Sequence, residues 1–187
     1  DEQHEITAAS VIIATGATAK YLGIPSEEKF NNKGVSACAV CDGYFYRGKA
    51  VAVVGAGDSA AEEATYLANL CTKVHLIVRR DEMRASKIMQ QRVMKTPNFE
   101  IHWNTETDEI LGNEGGVTGV RLVNNKTGAK TEIGVEGFFL AIGHKPNTDI
   151  FKPYINLDET GYIKVVPGST KTNVEGVFAV GDAADRI

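Results

Sequence analysis

The sequence predicts an α/β protein. Its centre is a Rossmann-like parallel sheet with helices and an antiparallel β-meander, flanked by partial segments at both ends. Three observations carry that prediction. Short apolar runs alternate with helical stretches from Ala50 to Trp103, the order that gives parallel strands joined by crossover helices. A glycine turn, Gly55-Ala56-Gly57-Asp58-Ser59-Ala60, lies where the first of these runs meets the first helical stretch. After Thr105 the pattern changes to short β-like runs separated by glycine turns.

The elements follow in order. Val11-Ile12-Ile13-Ala14-Thr15-Gly16 is an apolar run closed by glycine, read as a buried strand and turn. Residues 21–33 carry Gly23, Pro25 and several charges and read as a linker. Cys38-Ala39-Val40-Cys41-Asp42-Gly43 comes next, then an aromatic turn at Tyr44-Phe45-Tyr46. Ala50–Val54 is a fully apolar strand, residues 59–70 have helical spacing and many alanines, and residues 74–78 form the second strand. A second helix over residues 86–95 is stopped by Pro97, which lacks the N–H that a helix interior needs. Residues 100–103 are the third strand. Residues 108–111, 117–123 and 130–135 make the meander, with turns at Gly115-Gly116 and Lys126-Thr127-Gly128. The last parallel strand spans residues 137–142. Residues 143–147 read as a second linker, with the apolar segments 162–165 and 177–182 beyond it.

This pattern places one whole domain at residues 24–144, with partial segments at 1–23 and 145–187. The segments are too short to build a core of their own and are expected to pair with each other. The chain has no initiator Met and is expected to begin in mid-sequence or to have been trimmed. Its 187 residues are 43% hydrophobic and 24% charged, ordinary for a globular protein. A net charge of −4 argues against nucleic acid or an acidic membrane surface as the main partner. No apolar run approaches the ~20 residues of a membrane-spanning helix. The polar start, Asp1 to Glu5, is neither a secretory nor a transit signal. Three cysteines are too few for a disulfide framework at this size, which favours a cytoplasmic location. Cys71 reads as a small hydrophobe at a helix end.

The glycine turn follows a strand and opens a helix, the context a dinucleotide fingerprint requires. Gly55 permits the tight turn, Gly57 admits the pyrophosphate to the backbone, and Ala60 lets helix and strand lie close. The helix N-terminus offers free N–H groups to the phosphates, and Asp58 and Ser59 are placed to cap it. The next strand ends in Arg79-Arg80, with Arg84 close behind. An NAD site usually carries an acid there for the ribose hydroxyl. Guanidinium groups suit a 2′-phosphate instead, so NADPH is favoured over NADH. Asp81 is the counter-argument, since it could accept from a 2′-hydroxyl.

Cys38 and Cys41 have the spacing of an exchangeable disulfide, and Asp42 is placed to give or take a proton. Zinc needs about four ligands. There is no second CxxC, and His4, His75, His102 and His144 are scattered. No metal is expected, and the histidines are read as structural. A nicotinamide transfers hydride whereas a disulfide reacts through thiolates, so coupling the two calls for a flavin.

Together these residues resemble the low-molecular-weight thioredoxin reductases of bacterial and plant type. The resemblance covers nearly the whole chain and rests on residues 11–17 (VIIATGA), 37–43 (ACAVCDG), 55–60, the three arginines, 141–147 (AIGHKPN) and 176–185 (GVFAVGDAAD). CxxCDG ahead of the nucleotide turn is that family's hallmark. The resemblance implies that Cys38 and Cys41 are the redox pair and that Asp42 handles the proton. It places Gly55, Gly57, Asp58, Ser59, Ala60, Arg79, Arg80, Arg84, Ile142 and Gly143 around NADPH. It makes the terminal segments parts of a second, flavin-binding Rossmann-like domain, and places Thr15, Gly16, Gly181 and Asp182 around FAD in the intact protein, Asp182 at the flavin ribitol. It further implies thioredoxin as acceptor, a homodimer, and a rotation of the inserted domain about residues 21–33 and 143–147. The flavin glycine turn that the family carries upstream is missing, as is the helix after Asp182. Val78 stands where a His often precedes the two arginines. The chain is therefore expected to be a fragment that binds NADPH and does not turn over alone. Two other readings compete. One is the flavoprotein component of an alkyl hydroperoxide reductase, which favours NADH. The other is a nucleotide-binding module without catalysis.

Overall fold

The computed structural model of the protein describes residues 4–185. In chain order the elements are β1 (Val11–Ile13), β2 (Ala17–Ala19), α1 (Pro25–Lys29), β3 (Val35–Ser36), α2 (Ala39–Asp42), β4 (Ala50–Val54), α3 (Asp58–Ala68), β5 (Lys73–Val78), α4 (Lys87–Lys95), β6 (Phe99–Trp103), β7 (Thr105–Asn113), β8 (Gly116–Asn124), β9 (Lys130–Ile133), β10 (Gly137–Leu140), β11 (His144–Pro146) and β12 (Val177–Ala179). They fall into two compact units. One is Lys20–Gly143; the other joins the described residues up to Ala19 with those from His144 onward.

The Lys20–Gly143 unit is built on a five-stranded parallel sheet in the order β3-β10-β4-β5-β6. Neighbouring residues of a strand point to opposite faces. Val51, Val53, Val74, Leu76 and Val78 face α3 and α4, packing on Ala60, Ala61, Ala64, Leu67 and Val93. Ala52, Ile77, Phe138 and Leu140 face the other way, against Ile110, Val117, Val120 and Leu122 of the antiparallel sheet β7-β8-β9. With both faces covered, the strands read as unbroken apolar runs rather than alternating ones. The ends of the unit meet, Lys20 N–H donating to the Gly143 carbonyl at 2.9 Å.

Several boundaries differ from the sequence reading. The expected linker at residues 21–33 contains α1. Pro25 sits in its first turn, where the missing N–H has no partner to lose. The Glu27 carboxylate accepts from Leu22 N–H and Gly23 N–H at 2.9 Å each, and Phe30 is buried in the core. The expected linker at residues 143–147 contains β11, paired antiparallel with β2. The edge strand β3 was not foreseen. Helix α3 ends at Ala68 rather than residue 70, and β10 at Leu140 rather than residue 142.

In the other unit β1 and β12 pair in parallel, Val11 opposite Val177 and Ile13 opposite Ala179, so the terminal segments do pair. The strand expected to be buried is only partly so: Ile13 is buried while Val11 and Ile12 are exposed. The expectation that these segments lack a core of their own is corrected. Ile13, Ile155, Ile163, Ala179 and Ala183 form a small buried cluster, with Phe151, Leu157 and Val165 packed against it.

One polar feature lies within the larger unit. His75 on β5 is only 6% exposed, and its Nδ1 stands 3.0 Å from His102 Nε2 on β6. Burial, with the neighbouring His102 imidazole, pushes His75 down from 6.5 to about 4, and burial pushes His102 down as well. Between pH 4 and 6.5 the unfolded chain therefore holds more protons than the folded one, so stability rises with pH there. Thermal unfolding with a chelator present is expected to lose stability as pH falls through that window, on the order of 1 kcal/mol per pH unit. A flat profile there would contradict a buried neutral imidazole pair.

Candidate functional site

Strand order puts the candidate residues of the Lys20–Gly143 unit on one edge of its sheet, the edge formed by the strands' carboxyl ends. Cys38 follows β3, Ile142 and Gly143 follow β10, the glycine turn follows β4, and Arg79 and Arg80 follow β5. The chain runs from β4 outward to β5 and β6 on one side, while β10 and β3 fill the other. Ligands of open parallel sheets bind at such a reversal, outside the carboxyl ends of the strands.

The glycine turn is fixed by close approach. Gly55 has φ +152°, and a Cβ there would lie 2.3 Å from the Ala141 carbonyl oxygen and 2.7 Å from Ala60 Cβ. Gly57 meets nothing of the protein within 4 Å in the same position. The two glycines thus do different work. Gly55→Ala is expected to destabilise the unit by roughly 1–3 kcal/mol, the usual range for overpacking, seen as a lower denaturant midpoint. Gly57→Ala is expected to leave that midpoint unchanged while weakening nucleotide binding by calorimetry, because its methyl would fill space open only to a ligand. Equal loss of stability in both variants would contradict this division.

Asp58 and Ser59 do not cap α3; its N-cap is Gly57, with no side-chain cap bond. Asp58 instead crosses to the next helix. Its Oδ1 accepts from Ser86 N–H at 2.9 Å and from Ser86 Oγ at 2.7 Å, at the N-cap of α4. These bonds hold the Asp58 carboxyl below its ordinary value. The Ala56 carbonyl of the glycine turn accepts from Arg84 N–H at 2.7 Å and Ala85 N–H at 2.9 Å. Turn and arginine loop are therefore clamped together through the backbone. Asn125 Nδ2 donates to the Arg79 carbonyl at 2.8 Å, and Asn104 N–H to the Arg80 carbonyl at 2.9 Å. The side chains of Arg79, Arg80 and Arg84 are exposed, with no ion-pair partner among the described residues. Asp81 is exposed beside them.

Cys38 and Cys41 are joined in a disulfide, their Cα atoms 5.3 Å apart. Cys38 is the N-cap of α2, its Sγ accepting from Cys41 N–H at 3.2 Å. Cys41 is exposed and Cys38 half-buried. Asp42 closes α2, is half-buried, and lines a cleft of about 390 Å³ with Phe45, Tyr46 and Lys49. Val40, Tyr44 and Phe45 stand out beside the disulfide, 70%, 65% and 72% exposed. Sequence reasoning missed Glu63 on α3. Burial pushes its carboxyl up against a backbone hydrogen bond from Ala39, next to Cys38, and its Oε2 is buried without a partner. Glu63 also missed the core stripe of α3, and only its packing marks it. Cys71 is buried, as read, and burial pushes its thiol up to about 11.

In the other unit the ends of β1 and β12 lead into Thr15-Gly16 and Gly181-Asp182 at the same edge. Val180 N–H donates to the Ile13 carbonyl at 3.0 Å, Gly16 and Gly181 have φ +68° and +62°, and Asp182 is exposed. Thr15 is held by Asn147, its Oγ1 donating to the Asn147 carbonyl at 2.8 Å.

A family model for pyridine nucleotide-disulphide oxidoreductases matches residues 1–187. The chain belongs to this family. Among curated members, the thioredoxin reductase of Dictyostelium discoideum is 54% identical over 189 residues, covering all of this chain and 59% of that protein. NADPH-dependent thioredoxin reductase 3 of Arabidopsis thaliana is 47% identical over 98% of this chain and 35% of its own length. The solved thioredoxin reductase of Giardia duodenalis superposes with a TM-score of 0.86 at 44% identity, over 95% of this chain and 58% of that one. The chain thus spans about three-fifths or less of these oxidoreductases. Among the described residues, no helix is long and apolar enough to cross a membrane.

Proposed function

We propose that this chain is the NADPH-binding part, with flanking flavin-domain segments, of a thioredoxin-disulfide reductase. Residues 24–144 form the nucleotide domain in this reading, and residues 1–23 and 145–187 belong to the flavin domain. The observation that carries it is the shared sheet edge: an exchangeable disulfide at one end, unpaired arginines at the other, and the glycine turn between. The names of the Dictyostelium and Arabidopsis relatives support the same acceptor and nucleotide.

The residues suit NADPH. Gly57 leaves room for the pyrophosphate, the start of α3 presents N–H groups to it, and Arg79, Arg80 and Arg84 supply charge for a 2′-phosphate. Ile142 and Gly143 border the same crevice. Thr15, Gly16, Gly181 and Asp182 would hold part of an FAD, which when bound accepts hydride and passes on an electron pair. The Cys38–Cys41 disulfide takes two electrons and two protons to become two thiols. One thiolate then attacks the acceptor disulfide, and the other resolves the mixed disulfide, leaving the acceptor as a dithiol and this pair oxidised again. Asp42 carries protons in these steps. The exposed Val40, Tyr44 and Phe45 fit a protein acceptor rather than a small one. The same reading makes the full-length protein a cytoplasmic homodimer.

Calorimetric titration of this chain with NADPH and with NADH tests the nucleotide. Preference for NADPH is expected; preference for NADH would move Asp81 to the ribose and overturn the arginine assignment. NADPH oxidation by the full-length protein, dependent on added thioredoxin, tests the acceptor.

A further inference from the structure

A second cluster lies away from that edge and plays no part in the reading above. His75 on β5 and Glu100 and His102 on β6 project from the same face of the sheet, because His75 pairs with Glu100 and Ile77 with His102. Among the described residues these three alone form a group whose potential ligand atoms all lie within 4.8 Å of one another. His75 Nδ1 is 3.0 Å from His102 Nε2, and Glu100 Oε1 is 3.6 Å from His102 Nε2. Glu100 Oε2 is 4.0 Å from His75 Nδ1 and is bonded by the Lys73 ammonium.

We infer that His75, Glu100 and His102 form a binding site for one divalent transition-metal ion of the zinc class. Zinc bonds imidazole nitrogen and carboxylate oxygen at ~2.0–2.2 Å, so donors around it stand ~3–3.5 Å apart. The two nitrogens are already at that spacing, and Oε1 needs only a small side-chain rotation. The metal takes the place of the single proton that the two nitrogens share. Lys73 keeps Oε2 while Oε1 turns to the ion, and a water completes the shell from the solvent side, where the Glu100 side chain is 45% exposed. All three donors are held on adjacent strands whose backbones are already fixed, so little reorganisation is required. Two nitrogens and one oxygen suit zinc, cobalt, nickel or copper and not magnesium or calcium. The bound ion would pin β5 to β6, and β5 leads directly into Arg79 and Arg80.

The test is a Co²⁺ titration of the 187-residue chain with its disulfide intact, followed by visible absorption and thermal unfolding, with Zn²⁺ as competitor. One equivalent is expected to bind with micromolar affinity, to be displaced by Zn²⁺, to raise the unfolding temperature, and to show no sulfur-to-cobalt charge-transfer band. Millimolar Mg²⁺ is expected to do none of this. His102→Ala is expected to weaken binding by at least ~100-fold. Lys73→Gln, which removes a competing cation, is expected to tighten it about tenfold. Absence of binding, a thiolate band, or an affinity unchanged in His102→Ala would overturn the site. Should His102→Ala fail to fold, imidazole nitrogen resonances of the unaltered chain decide. Zn²⁺ must shift His75 Nδ1 and His102 Nε2, and unmoved resonances overturn the proposal.

Discussion

Cys38→Ser or Cys41→Ser in the full-length protein is expected to abolish thioredoxin-dependent NADPH oxidation, a loss of ~10³-fold or more, since in this reading the pair supplies both the exchanging and the resolving thiolate. Cys71 cannot substitute, being buried and held as a thiol. Nucleotide affinity is expected to be unchanged. The reason lies in what else Cys38 does. It caps α2, and its sulfur accepts the Cys41 N–H. Serine places an oxygen at the same point and is among the preferred N-cap residues, so the local turn survives. Breaking a disulfide with a sequence separation of 3 removes about 2 kcal/mol of loop constraint on the unfolded chain, partly offset by the better cap. The two readouts therefore separate. Retained thioredoxin turnover in Cys38→Ser would remove the redox assignment. Lost NADPH binding with turnover would make the disulfide a structural staple.

The sheet's core was legible because its strands are buried on both faces and read as apolar runs. The glycine turn was legible because its chemistry is local. What was not legible depends on partners distant in sequence. Strand β3 is two residues long, and only its pairing with β10, about a hundred residues later, makes it a strand. Strands β2 and β11 are three residues each; residues 143–147 read as linker and residues 17–19 as no element until the two are set side by side. Pro25 signals a break, yet in a first turn it starts a helix. Asp58 looked like a cap for its own helix, because sequence shows the cap position but not that Ser86 lies opposite. His75 and His102 looked scattered for the same reason: the register of β5 on β6 brings them together, and no local pattern encodes a register. Within the candidate site, residue types were readable and mutual positions were not.

That distinction bears on the arginine loop, where the second large effect is expected. Replacing both Arg79 and Arg80 by Gln is expected to raise the NADPH dissociation constant by ~10²-fold or more and to leave the NADH value nearly unchanged. Each charge-assisted contact to a 2′-phosphate contributes ~1.5–3 kcal/mol, and a tenfold change in affinity is about 1.4 kcal/mol. The fold has no stake in these guanidinium groups. The loop is anchored by its backbone: Asn125 on the Arg79 carbonyl, Asn104 on the Arg80 carbonyl, and Arg84 and Ala85 N–H on Ala56. Unfolding should accordingly match the unaltered chain, so an affinity loss cannot be ascribed to disorder. The unpaired state of the three arginines argues the same way, since a cluster of exposed like charges without carboxylate partners is destabilising unless an anion joins it. The contact should also weaken with salt more for NADPH than for NADH, because both carry the charged pyrophosphate but only NADPH adds a 2′-phosphate charge facing the arginines. If NADPH affinity is unchanged in the double variant, the arginines are merely solvated. If NADH weakens equally, the loss reflects the clamp on the glycine turn rather than the phosphate.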